Sequence, residues 1–186
     1  MNNTRTRVCP VERANSLDNK IRKWFQNPGK ILAPYIKEGM KVLDVGCGPG
    51  FFSIEIAKMV GTDGKVFSAD LQEGMLEKVK AKTKGTELEN RVIPVKCDKN
   101  KINLTEKVDF VLAFYMVHEV PDKASFFNEL KTVLKENGEF LIVEPKFFHV
   151  SKDAFQSTVN HAEKAGFIAY TGPNLPFSQT VVLRKN

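Results

Sequence analysis

The chain has little of what metal, disulfide or membrane chemistry requires. Three cysteines occur in 186 residues, Cys9, Cys47 and Cys97, and no two of them stand in a Cys-x-x-Cys pair. A disulfide framework is excluded; the thiols read as reduced, in a cytoplasmic protein, and no metal site is expected. No apolar run approaches the roughly 20 residues of a membrane span, so no span is expected. Met1–Pro10 is polar and basic with no apolar stretch behind it, which argues against a secretory signal. Internal repeats and low-complexity segments are also missing.

What remains is ordinary for a soluble globular chain, with 42% hydrophobic and 27% charged residues. The length suits one compact unit with a sizeable core. The net charge of +6 is unevenly placed: residues 1–43 carry nine Lys or Arg against three acids, and residues 44–186 carry nineteen of each sign. The body of the fold therefore offers no basic nucleic-acid surface, and the basic N-terminus reads as a solvated helical face.

From residue 41 onward short apolar runs alternate with helical periodicity. Strands are predicted at Lys41–Val45, Lys65–Ala69, Arg91–Lys96, Val108–Ala113 and Glu139–Glu144. Helices are predicted at Phe51–Val60 and Glu73–Lys84, from Pro121-Asp122 to about Lys135, and from a Ser151 cap to about Ala165. Gly138 is expected as a left-handed C-cap. Two last strands, Phe167–Tyr170 and Thr180–Arg184, are joined by the proline-broken segment 172–176 and should pair antiparallel at one edge. Strands covered on both faces and alternating with helices indicate a doubly wound α/β sheet. Residues 1–40 read as a helical lid segment (Asn15–Gln26 and Pro28–Ile36), and 41–186 as the main domain.

In such a sheet ligands bind beyond the carboxyl ends of the strands. After the first strand comes Gly46-x-Gly48-x-Gly50, leading straight into a helix; glycines there let backbone approach a ligand closely. The spacing is not Gly-x-Gly-x-x-Gly, whose third glycine would fall at Phe51, which argues against a nicotinamide or flavin enzyme. Asp70 follows the second strand, where a carboxylate can accept both ribose hydroxyls of an adenosine. Asp98 follows the third and can accept from an adenine amino group. Phe114 and Tyr115 follow the fourth, and Glu144 ends the fifth. Phe51 and Phe52 are expected in the core. Cys47 and Cys97 are read as packing groups.

The segments Val42–Gly50 (V-L-D-V-G-C-G-P-G), Val66–Asp70, Lys96–Asp98, Asp109–Phe114 and Leu134–Glu144, in that order, resemble the successive motifs of class I S-adenosylmethionine-dependent methyltransferases. The resemblance runs from about residue 38 to the C-terminus and is greatest to compact small-molecule enzymes similar to quinone-ring C-methyltransferases. It implies a Rossmann-like sheet of order 3-2-1-4-5-7-6 with strand 7 antiparallel, and S-adenosyl-L-methionine as cofactor. It places Asp44, Gly46, Gly48 and Gly50 at the methionyl part, Asp70 on the ribose, Asp98 at the adenine amino group and Leu71 over the adenine. The backbone at Ala113 and Phe114 would face the cofactor's amino group.

The donor is already an activated sulfonium, so positioning and water exclusion supply much of the acceleration. An aromatic face at Phe114 or Tyr115 would attract the sulfonium cation. His118, beside Glu119, is a candidate base tuned by a carboxylate, and Tyr115 is the other catalytic candidate. Trp24, Glu144 and His149 are candidate substrate contacts. The expected partner is a small-molecule acceptor, bound by a monomer or homodimer.

Two alternatives stand beside this reading. One is transfer to RNA or protein, docked by Arg5, Arg7, Arg13, Arg22 and Lys23; it lacks the Asn/Asp-Pro-Pro-Tyr or Pro-Cys motifs of base methylases. The other is a non-catalytic S-adenosylmethionine sensor.

Overall fold

A computed structural model describes residues 26–99, 101–146 and 150–186. Cys9, Trp24, His149 and the helix expected at Asn15–Gln26 lie outside the described residues, apart from Gln26 itself.

Seven strands among the described residues form one sheet in the order β3-β2-β1-β4-β5-β7-β6. They are β1 (Lys41–Val45), β2 (Lys65–Asp70), β3 (Val92–Lys96), β4 (Val108–Phe114), β5 (Leu134–Pro145), β6 (Phe167–Thr171) and β7 (Ser178–Lys185). The strands β1 to β5 pair in parallel, while β7 runs antiparallel between β5 and β6. The edges are therefore β3 on one side and β6 on the other. The helices are α1 (Pro28–Leu32), α2 (Phe51–Met59), α3 (Glu73–Thr83), α4 (Lys123–Val133) and α5 (Lys152–Lys164). None of them is long and apolar enough to cross a membrane.

Alternation along the strands divides the core into two layers. Val42, Phe110, Leu112, Leu141 and Val143 pack with Leu32 of α1, Phe52 and Ile56 of α2 and Val79 of α3. Their neighbours Leu43, Val111, Ala113, Phe140 and Ile142 pack with Phe127 and Leu130 of α4 and Ala162 of α5. Phe51 and Phe52 belong to the first layer, as their apolar spacing implied.

Beyond small shifts at the ends of other elements, three features differ from expectation. Helix α1 stops at Leu32 because Pro34 has no N–H to donate and its ring obstructs the preceding turn. Helix α4 ends at Val133, and the chain passes directly into extended backbone at Leu134. Gly138 is not a left-handed cap: it lies within β5, outside the positive-φ residues. A glycine is needed there for space, since a Cβ would sit 2.5 Å from Leu134 Cδ1 and 3.0 Å from the Asp109 carbonyl. Opposite it the ladder shifts register between Val108 and Phe110. Ser151 caps α5 as expected, accepting from the Ala154 N–H.

Candidate functional site

The β1–α2 turn puts three alternating glycines in the left-handed region, with φ of 69° at Gly46, 53° at Gly48 and 83° at Gly50. L residues avoid this conformation, which is the physical reason for the Gly-x-Gly-x-Gly pattern. A Cβ at Gly46 would lie 2.8 Å from Met116 Cγ, whereas one at Gly48 would meet nothing within 4 Å. The middle glycine therefore fronts open space. The turn is tied down on both sides, with the Gly46 and Cys47 N–H groups donating to the Ala69 carbonyl and Lys82 of α3 donating to the Pro49 carbonyl.

Asp44 is buried, and the Ser53 hydroxyl of α2 donates to it at 2.6 Å. It fixes the start of the helix against β1 from the layer that α2 covers.

Asp70 closes the other side of the turn. One of its oxygens accepts from the Gly48 N–H at 2.9 Å and the other from the Gln72 N–H at 2.8 Å. Burial pushes its carboxyl above the usual range, and those N–H groups and the Lys96 cation pull it back. A carboxylate offers about four lone-pair directions, so these bonds leave acceptor capacity for a ligand's hydroxyl. Leu71 beside it is 40% exposed, an apolar side chain held at the surface next to the turn.

Asp98 is exposed after β3, where Asn103 donates to it at 3.0 Å and also to the Lys96 carbonyl. Asn103 has φ of 60°, a conformation asparagine tolerates better than most residues. The sequence reading missed it because the contact comes from a loop with no periodicity.

At the end of β4, Ala113 and Phe114 are buried. Phe114 stacks at a centroid distance of 4.3 Å on Phe52 and 4.6 Å on Tyr115. Tyr115 has φ of 59°, a conformation a bulky residue adopts only where its surroundings compel it. Those surroundings are Ser178 Oγ at 2.7 Å from the Tyr115 hydroxyl, and Gln26, whose amide donates to that hydroxyl at 2.9 Å. Tyr115 thus joins β4 to β7 and to the end of the N-terminal segment.

The chain next forms a 3₁₀ turn, Val117–Glu119. His118 Nδ1 lies 2.5 Å from Glu144 Oε2, while Glu144 Oε1 accepts from the Val117 N–H at 2.7 Å and the His118 N–H at 3.3 Å. The carboxylate bonded to the imidazole is therefore Glu144, not the adjacent Glu119 anticipated from sequence. Consecutive residues of a turn diverge, whereas β5 runs directly beside β4. Glu144, expected from sequence as a substrate contact, is 1% exposed, and its oxygens are bonded to the turn and to the His118 ring. The Glu144 bond holds the His118 imidazole above the ordinary histidine range, against the effect of partial burial.

Both described thiols, Cys47 and Cys97, are buried. Burial raises Cys47 well above the normal thiol value and pushes Cys97 up to about 12, which disfavours the reactive thiolate.

A family model described as a methyltransferase domain matches residues 36–176. The demethylmenaquinone methyltransferase of Staphylococcus aureus is 34% identical over 110 residues, covering 59% of this chain and 44% of that protein. The ribosomal protein L11 methyltransferase of Dictyoglomus thermophilum is 34% identical over 153 residues, 78% of this chain and 48% of that protein. The chain thus spans about half the length of these curated relatives. The crystal structure of a SAM dependent methyltransferase from Aquifex aeolicus superposes with a TM-score of 0.81 at 28% identity, covering 94% of this chain and 96% of that one. With its sheet order, its glycine turn and a model match over most of its length, the chain belongs to the methyltransferase-domain family.

Proposed function

We propose that this chain binds S-adenosylmethionine across the carboxyl ends of β1 to β4 and transfers its methyl group to a small-molecule acceptor. The observation that carries the reading is the turn of three left-handed glycines whose middle N–H is held by Asp70. Backbone so shaped accepts a ligand where any side chain would intrude, and the carboxylate at its rim keeps free lone pairs for ribose hydroxyls. Asp44 and the turn Gly46, Gly48 and Gly50 serve the methionyl part, Leu71 covers the adenine, and Asp98 accepts from the adenine amino group. The backbone at Ala113 and Phe114 faces the methionyl amino group.

The bound donor supplies an electrophilic methyl on a sulfonium. The protein's share is to align the acceptor, exclude water and receive any proton released. The Phe52–Phe114–Tyr115 stack gives an aromatic wall at the end of β4, suited both to a sulfonium cation and to a flat apolar acceptor. The Gln26–Tyr115 hydrogen bond ties the first described residue to this side of the sheet. A small acceptor fits the balanced charge of residues 44–186 and the demethylmenaquinone substrate in the name of the Staphylococcus relative.

Calorimetric titration with S-adenosylmethionine tests the core of the reading: the folded wild type should bind, and Asp70→Ala should lose most of that affinity. A folded wild type that does not bind defeats it. Turnover of methyl-labelled donor over quinols, phenols, amines, thiols and ribosomal protein L11 then identifies the acceptor. Transfer to the protein alone would replace the small-molecule assignment, and no transfer to any would favour a sensor.

A further inference from the structure

The geometry points to His118 and Glu144 as an oriented proton-accepting pair, in which Glu144 fixes the ring and Nε2 of His118 receives the proton released by the methyl acceptor. This rests on the proposed methyl-transfer site and assigns a role within it. Glu144 is the positioning residue and His118 the catalytic one.

Three observations support the pair. First, a carboxylate can only accept, so the 2.5 Å contact with Nδ1 places the ring proton there and leaves the neutral-state lone pair on Nε2. Second, Glu144 is itself held in place by its own bonds. Buried at the end of the inner strand β5, it is gripped by the Val117 and His118 N–H groups, so turn and ring are registered by one carboxylate. Third, Nε2 has no hydrogen-bond partner among the described residues, and the His118 side chain remains 27% exposed. It lies just past the carboxyl end of β4, three residues beyond the aromatic Tyr115, on the side where an acceptor would approach.

The step balances without a further reactant. A bond forms from the acceptor atom to the methyl carbon as the carbon–sulfur bond breaks, with its electron pair kept by sulfur. The hydrogen on the acceptor atom leaves as a proton to Nε2. The arrangement therefore suits an acceptor whose attacking atom carries a weakly acidic hydrogen, such as a phenolic or enolic hydroxyl or the ring carbon it activates. A tertiary amine would have no use for it. Glu144 and Glu119 favour the charged ring, and Lys123 at the start of α4 opposes it.

The test is nitrogen NMR of the histidine-labelled protein, with the His118 signal assigned by its loss in His118→Gln and S-adenosylhomocysteine present as a probe. The wild type should show an Nδ1-protonated, Nε2-unprotonated ring at high pH, with a titration midpoint above the ordinary histidine value. Glu144→Gln should bring the midpoint back down and erase the tautomer preference, while Glu144→Asp should restore part of both. An Nε2-protonated ring or an ordinary midpoint in the wild type would overturn the pair, and that reading does not depend on the Glu144 variants folding. So would a Glu144→Gln spectrum identical to wild type. Failure of the methyl-transfer reading shows up separately, as absence of S-adenosylmethionine binding by calorimetry.

Discussion

At the ends of β1 and β2 the site is held by backbone: the Gly46, Cys47 and Gly48 N–H groups are bound to the Ala69 carbonyl and the Asp70 carboxylate, all within thirty residues of sequence. At the ends of β4, β5 and β7 side chains dominate instead. Tyr115 meets Ser178 and Gln26, and His118 meets Glu144, across sequence separations of 63, 89 and 26 residues. The first region has the geometry to grip one invariant ligand through main-chain shape. The second can be re-specified by exchanging a few side chains without touching the turn, as a site for variable acceptors requires.

The comparison breaks most easily at Asp70. Asp70→Ala leaves the Gly48 and Gln72 N–H groups without their acceptor and removes the proposed ribose contact. We expect affinity for S-adenosylmethionine to fall by at least about 100-fold, near 3 kcal/mol, in a calorimetric titration. A loss below tenfold would mean that the carboxylate only braces the turn.

Gly46→Ala tests whether shape alone sustains the cofactor side. The left-handed backbone penalty and the approach to Met116 should together cost about 2 kcal/mol of unfolding free energy in a denaturant titration. An unchanged midpoint would show the turn to be soft.

On the acceptor side the expected effect is smaller and depends on pH. The folded His118 ring titrates above its unfolded value because Glu144 stabilises its charged form. That stabilisation is complete below the unfolded pKa, near 6.5, and disappears as pH rises through the folded one. Wild type should therefore exceed His118→Gln in stability most at about pH 5.5, with the gap narrowing as pH rises; a gap independent of pH would argue that the ion pair contributes nothing.

The smallest change should be a gain. Ser68, opposite Asp44 in the β1–β2 register, has a buried hydroxyl with no hydrogen-bond partner among the described residues. Ser68→Ala should raise stability by about 1 kcal/mol. A loss of that size would instead reveal a polar partner when the cofactor side is loaded.

The glycine turn and most of the fold were legible because their information is local. Strand alternation fixes two faces, positive φ demands glycine at 46, 48 and 50, and Asp70 comes at the end of the next strand. The misread details are those where space or a distant partner decides. Gly138 looked like a helix cap but is required by the proximity of Leu134 and the Asp109 carbonyl. Glu119 looked like the carboxylate for His118 because it is adjacent in sequence. Asn103 and Ser178 gave no signal at all, since each is a single polar residue in an irregular loop or at a strand edge.

By itself, then, the sequence determined a doubly wound sheet, the place of the glycine turn and the chemical type of the ligand it suits, because backbone conformation and strand period are written in neighbouring residues. Only the tertiary structure decided which carboxylate orients His118 and what holds Tyr115 in its strained conformation. Those partners are brought together by the pairing of β4 with β5 and β5 with β7, and a hydrogen bond between residues far apart in the chain leaves no pattern along it.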